Sequence, residues 1–192
     1  MSFLQDFRES LEREEVRSIS RRYFISNGFD GTLTATGVTV GSYLSGVGNG
    51  LTVFKVALGA AIGLATSGVW SVWEIERAEK LSELHDMEDS MLTDLKGTEI
   101  HEKKMQGRAV NAVMSGLGPV LGVLITASPF LLAGSLITLF QAAVGSVVMG
   151  MALLFAFGAY MGNISRQRWY VAGFRMCMAG LVVAALNIFL PG

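Results

Sequence analysis

The chain has 192 residues, 51% of them hydrophobic and 16% charged, with 23 glycines and a formal net charge of −1. Few charges, much glycine and long apolar runs exclude an ordinary soluble domain and point to an integral membrane protein. The near-neutral charge gives no ground for a nucleic-acid partner, and the single Cys177 allows no intrachain disulfide.

The first residues, MSFLQDFRESLEREEVRS, are charged and lack the apolar core of a cleavable signal peptide. Ser2 and Gln5 fit a capping box, Leu4, Phe7 and Leu11 recur at helical spacing, and Glu9 with Arg13 adds an i,i+4 pair. Segment 1–22 is therefore expected to be an amphipathic cytoplasmic lead-in helix, lying on the membrane surface or packed on the wet end of the protein.

Five apolar stretches follow, near 24–46, 51–73, 109–133, 136–161 and 169–190, each close to the ~20 residues that cross a bilayer core. The expected fold is an all-α integral membrane bundle of five transmembrane helices. Helices 1 and 2 occupy 23–73, helices 3 to 5 occupy 109–192, and an acidic cytoplasmic helical hairpin covers 74–108. The first span is the least hydrophobic. Pro119 and Pro129 both fall in the third, which predicts a kink or a locally broken hydrogen-bond ladder there. Small residues recur four apart at Gly37/Gly41, Gly59/Gly63, Ser67/Ser71, Gly118/Gly122 and Gly158/Gly162. Such stripes let helix backbones approach closely, within a chain or across a dimer seam. Fourteen of the 15 Lys and Arg residues fall on one side of this arrangement, with only Lys55 on the other. The positive-inside rule then puts the N-terminus and the 74–108 segment in the cytoplasm and the C-terminus outside.

Within the spans, Asp30 is the only acidic residue. A charge there costs roughly 2.5–3.5 kcal/mol on insertion scales, so it reads as functional by default. Asp30 with its polar neighbours Asn27 and Thr34 is the candidate transport pathway. Arg175 lies at a similar depth and offers a competing account, a buried ion pair that only holds the bundle together.

The wet segment 74–108 holds ten of the 16 acidic residues and both histidines. On a helix, Glu76, Glu79, Glu83, Asp86 and Asp94 share an arc of about 80°. Trp73, Leu84, Met91 and Leu95 form a neighbouring apolar stripe, and Gly97 offers a stop. A second short helix would put Glu99 and Glu102 on one face. Carboxylates at i, i+3, i+7 suit hard or borderline divalent ions, and His85 and His101 shift the preference towards first-row transition metals. The alternative is a solvated charged helix in which Arg77 and Lys80 neutralise the row. No Glu-x-x-His pair occurs, so a ferritin-like di-iron site is not supported. A helix over 74–96 projects roughly 34 Å while 98–108 returns only about 16 Å. The first arm must therefore bend, near Ser82 or Ser90, or the third span must begin as an extended wet helix.

The order of these parts, with the turn Asn27-Gly28-Phe29-Asp30-Gly31-Thr32 in the first span, resembles the vacuolar iron transporter family, as a divergent member with a short loop. The resemblance implies a five-helix homodimer that exports Fe(II), and often Mn(II), from the cytoplasm in exchange for protons. It implies that the first spans pair around the ion path, that Asp30 matches the pathway aspartate, and that Glu76, Glu79, Glu83, Glu99 and Glu102 are metal ligands. Three features depart from the family pattern. Phe29 stands where Asn usually precedes the aspartate, Gly68 follows Ser67 where a Met is usual, and Glu74 arrives two residues late.

Two functions are thus expected in competition. One is a secondary transporter of a divalent transition metal, the ion being its cargo and no cofactor being held permanently. The other is a non-transporting, membrane-anchored interaction protein whose charged hairpin docks a soluble partner. An enzyme is not expected: there is no His-Glu-x-x-His, no nucleophile elbow and no intramembrane aspartate pair. The membrane would be the plasma membrane in a prokaryote and an organelle's otherwise.

Overall fold

The computed structural model describes residues 13–91 and 99–189, apart from the side chains of 99–106. Five α-helices follow one another, with no strand among the described residues. They are α1 (Glu14–Leu44), α2 (Gly50–Met91), α3 (Glu99–Ala127), α4 (Leu139–Ile164) and α5 (Trp169–Phe189), and a 3-10 turn, Ser128–Leu131, extends α3.

Four stretches, Gly50–Met91, Gly107–Leu131, Leu139–Ile164 and Trp169–Phe189, are long and apolar enough to cross a membrane. The protein is a multi-pass membrane protein. The first helix falls short of that hydropathy for a physical reason: α1 packs against each of the other four. Most of its surface meets protein rather than lipid, where small and hydroxyl side chains serve better than leucine. Its main partner α3 is central too, with 56% of its apolar window buried against 17% in α2 and in α5.

Two composition boundaries turn out not to be backbone boundaries. Residues 1–12 of the lead-in segment lie outside the described residues, but 14–22 simply continue into α1. They pack on the wet end, where Val16 lies against Gly107 and Glu15 meets Lys80. Likewise α2 is a single helix of 42 residues, roughly 63 Å long. It runs through Ser82 and Ser90 as one helix. The mismatch in arm length is met instead by α3, which starts at Glu99 and carries one helix of 29 residues from the wet end into the membrane. The expected short second helix is thus the first part of α3. The turn between the arms, with Asp94, Leu95 and Gly97, lies outside the described residues.

The third span stays one α-helix through Pro119. A proline lacks the N–H that would bind the carbonyl four residues earlier, here that of Ser115. In this bundle the Asn27 side-chain amide of α1 donates to the Ser115 carbonyl at 3.2 Å and to its hydroxyl at 2.5 Å. Pro129 frees the carbonyl of Ile125 in the same way, and the Ser128 hydroxyl donates to it at 2.8 Å. There the α-ladder gives way to the 3-10 turn. A capping box of Thr138 and Gln141 then starts α4.

The core is built from small side chains. Ala35, Ala57, Ala61, Val123 and Ala127 form one cluster, and Val53, Phe130, Ala142 and Ala143 another. Gly118 and Gly122 lie directly on the α1 backbone, at Phe24 and Gly28, and Gly158 and Gly162 on α5. These stripes are intrachain seams. The Gly59/Gly63 stripe of α2 is different, with nothing within 4 Å. A Cβ at Gly31 would stand 2.5 Å from the Cα and 2.6 Å from the carbonyl oxygen of Pro119, so Gly31→Ala must force α1 and α3 apart. We expect it to destabilise the bundle by about 1–3 kcal/mol, seen as a lower thermal midpoint of the full chain in detergent. Gly59→Ala, on the open face, should leave the midpoint unchanged.

Candidate functional site

Asn27, Gly28 and Gly31 fix how α1 is rotated in the bundle, and the rest of its polar run follows from that. Thr32, Thr36 and Thr39 are buried and donate to the carbonyls of Gly28, Thr32 and Ala35 at 2.8–2.9 Å. Thr39 also meets Ser146 of α4 at 2.9 Å. Asn27 is held by Ser115, and Thr34 is half-buried. Asp30, one position before Gly31, is turned about 100° from the α3 seam and is exposed on the bundle surface. Among the described residues it makes no ion pair or hydrogen bond. Arg175 is exposed on α5 and does not contact it. The rival account, a structural Asp30–Arg175 pair, is therefore not what this chain forms.

Seven residues before Asp30, on nearly the same face and roughly 10 Å nearer the charged end, the Tyr23 hydroxyl lies close to the Glu76 carboxylate. Glu76 is 1% exposed, and its Oε2 has no hydrogen-bond partner. Glu79 lies close enough to act electrostatically on the same tyrosine, although its own side chain is exposed. The acidic row of α2 is thus split rather than gathered. Its inner edge, Val72, Glu76, Lys80 and Leu84, is buried. Glu83 is held by Lys80 at 3.3 Å, while His85 and Asp86 face outwards. Arg77 reaches Glu74 at 3.8 Å. An open cleft of about 380 Å³ near the end of the arm is lined by Glu83, Asp86, Met87, Ser90 and Met91. It sets soft thioethers beside carboxylates, although Met91 had read as part of an apolar stripe. The side chains of Glu99, His101 and Glu102 lie outside the described residues. Among the described residues, no three His, Cys, Asp or Glu side chains come together as a metal site.

A family model described as the VIT family matches residues 71–190. That window opens at Ser71, after the Asn27–Thr32 motif, and takes in the arm of α2 and the three helices beyond it. The uncharacterized protein MJ0645 of Methanocaldococcus jannaschii is 27% identical over 168 residues, which cover 86% of this chain and 85% of that protein. No solved structure matches.

Several contacts at the wet end carry no signal in the sequence. Ser20 donates to Asn111 at 2.6 Å, both buried. The Arg108 guanidinium lies 3.8 Å from the centre of the Trp73 ring. Of these residues only Asn111, a polar side chain inside an apolar stretch, could have been singled out from the sequence. Lys80 read as a neutralising charge on the row, but it is 7% exposed and bonds Glu15 of α1 at 2.9 Å. Burial alone would pull its ammonium down; the hydrogen bonds and charges of Glu15 and Glu83 outweigh that and hold it above its ordinary value. A lysine whose folded-state pKa is raised stabilises fully below its unfolded value of ~10.4, and that contribution is lost as pH rises through the folded-state value. Because Glu15 is largely exposed, the contribution is on the order of 1 kcal/mol or less. The thermal midpoint of Lys80→Met should lie below that of the wild type by a constant amount from neutral pH to about pH 10, and the gap should close above that.

Proposed function

The chain belongs to the VIT family, and metal-ion transport across a membrane follows from that membership; on this premise we propose that it exports Fe(II) or Mn(II) from the cytoplasm in exchange for protons. The observation that carries the reading is Asp30, a carboxylate exposed on a helix of a membrane bundle with no cation among the described residues paired to it. Left facing hydrocarbon, an ionised carboxylate is among the most expensive groups a span can hold. It becomes tenable if a second copy covers that face of α1, making a homodimer with five spans in each chain and a polar path between the two first helices. One carboxylate that must hold either a proton or a metal ion then couples the two fluxes. Asn27 and Thr34 flank that path, Asn27 chiefly by fixing the rotation of α1.

In this reading α2 and α3 project into the cytoplasm, where the excess of Lys and Arg belongs by the positive-inside rule. The arm collects the ion. Glu76 and Glu79 sit above Asp30, Glu83, Asp86 and His85 stand further out, and Glu99, Glu102 and His101 stand on the facing arm. The unpartnered oxygen of Glu76 is acceptor capacity that a cation would satisfy. Met87 and Met91 beside Glu83 and Asp86 offer the softer donors that favour Fe(II) over Mg(II) or Ca(II).

One observation favours the second reading, an anchored interaction protein: Lys80 already neutralises part of the acidic row through Glu15 and Glu83. The two readings separate in everted vesicles carrying the full chain. Export predicts Fe(II) or Mn(II) uptake driven by an acidic lumen, stopped by a protonophore and reduced to background by Asp30→Asn. Uptake that survives Asp30→Asn unchanged removes Asp30 from the mechanism. A chain that neither takes up nor binds Mn(II) is the docking protein instead.

A further inference from the structure

We propose that the cleft between α1, α3 and α4 at the charged end of the bundle is a site for one anionic phospholipid. The cleft encloses about 400 Å³ and is lined by Arg17, Arg21 and Phe24 of α1, Met114 of α3, and Phe157 and Tyr160 of α4. Its floor is hydrocarbon in character. Phe24 and Phe157 meet edge to face at 6.2 Å, and the nearby Ser20 hydroxyl is already engaged by Asn111. Its mouth is cationic. Arg17 and Arg21 stand one helical turn apart on one face, and among the described residues neither is ion-paired. On that face the nearest carboxylate, Glu14, is exposed about one turn further from the membrane than Arg17, and Glu15, on another face, is taken by Lys80.

The level of the cleft in the membrane fits the same occupant. Tyr23, Trp73, Tyr160, Trp169 and Tyr170 all stand where their helices leave the apolar stretch towards the charged end, the position of an interfacial aromatic belt. Arg21 and Arg17 lie about half a turn and one and a half turns beyond Tyr23, at headgroup height. A soluble anion would satisfy the arginines and leave the apolar floor uncovered. A zwitterionic lipid would cover the floor but bring a cation of its own to the mouth. An anionic phospholipid does both: its phosphate takes charge-assisted hydrogen bonds from the guanidinium forks and its acyl chain lies along Phe24, Met114 and Phe157.

The test is native mass spectrometry of the full chain released from nanodiscs of equal phosphatidylglycerol and phosphatidylcholine. The expected result is one phosphatidylglycerol retained per chain in preference to phosphatidylcholine. Retention should fall roughly tenfold or more in Arg17→Gln/Arg21→Gln and stay unchanged in Arg166→Gln/Arg168→Gln, a control pair at the same end but outside the cleft. Met114→Trp fills the floor while leaving both arginines, and should also lose the lipid. Equal retention of the two lipids would falsify the site. So would an equal loss in the control pair, or full retention in Met114→Trp, since either means attraction by surface charge alone. The charge variant and the floor variant each decide the question independently, so a failure of one to fold leaves the other to settle it.

Discussion

The bundle depends on how one freed carbonyl is satisfied. Pro119 removes the N–H that the Ser115 carbonyl would accept, and in hydrocarbon an unmet carbonyl costs several kcal/mol. The Asn27 amide meets it from the neighbouring helix. That bond works only if α1 lies almost in backbone contact with α3, which is why Gly28 and Gly31 stand opposite Gly118, Pro119 and Gly122. One hydrogen bond and one close seam therefore set the depth and the rotation of α1. Everything else on that helix is placed by the 3.6-residue period.

Much of the polarity that made the first span look like a pathway is a consequence of this seam. A helix enclosed by four others needs small side chains more than apolar ones. The hydroxyls of Thr32, Thr36 and Thr39 donate back to their own helix, so their presence is accounted for by the packing. Asn27 belongs to the same structural account. Asp30 does not: it lies off the seam, does not contact Arg175 and serves no packing role. Separating the seam residues from the aspartate narrows the functional question to one carboxylate.

The sequence carried the helix count, the grouping of charge at one end and the prolines of the third span, because these follow from hydropathy and side-chain chemistry. Its boundaries of composition are not boundaries of the helices. The shift from charged to apolar residues at Arg22/Tyr23 and at Arg108/Ala109 marks a change of solvent, and backbone hydrogen bonding runs through it undisturbed. On the sequence, Glu76, Glu79, Glu83 and Asp86 read as one face. An arc of about 80° is wider than the ridge a helix buries against its neighbour, so Glu76 went inwards and Asp86 outwards. Partners such as Lys80 with Glu15, or Tyr23 with Glu76, are set by the rotation of two helices about each other, which no pattern within either segment specifies.

That rotation links the arm to the membrane. The α1–α3 seam that turns Asp30 outwards also turns Tyr23, two helical turns nearer the charged end, towards α2. There it reaches Glu76. The buried carboxylate at the base of the arm and the unpaired carboxylate in the span therefore lie along one face of one helix, roughly 10 Å apart along its axis. On the proposed export reading, an ion released from the arm at Glu76 would stand over the face that bears Asp30 without crossing the α1–α3 seam, where the glycines bring the backbones into close contact. On the export reading, capture and translocation share a surface because the seam that satisfies Ser115 faces the other way.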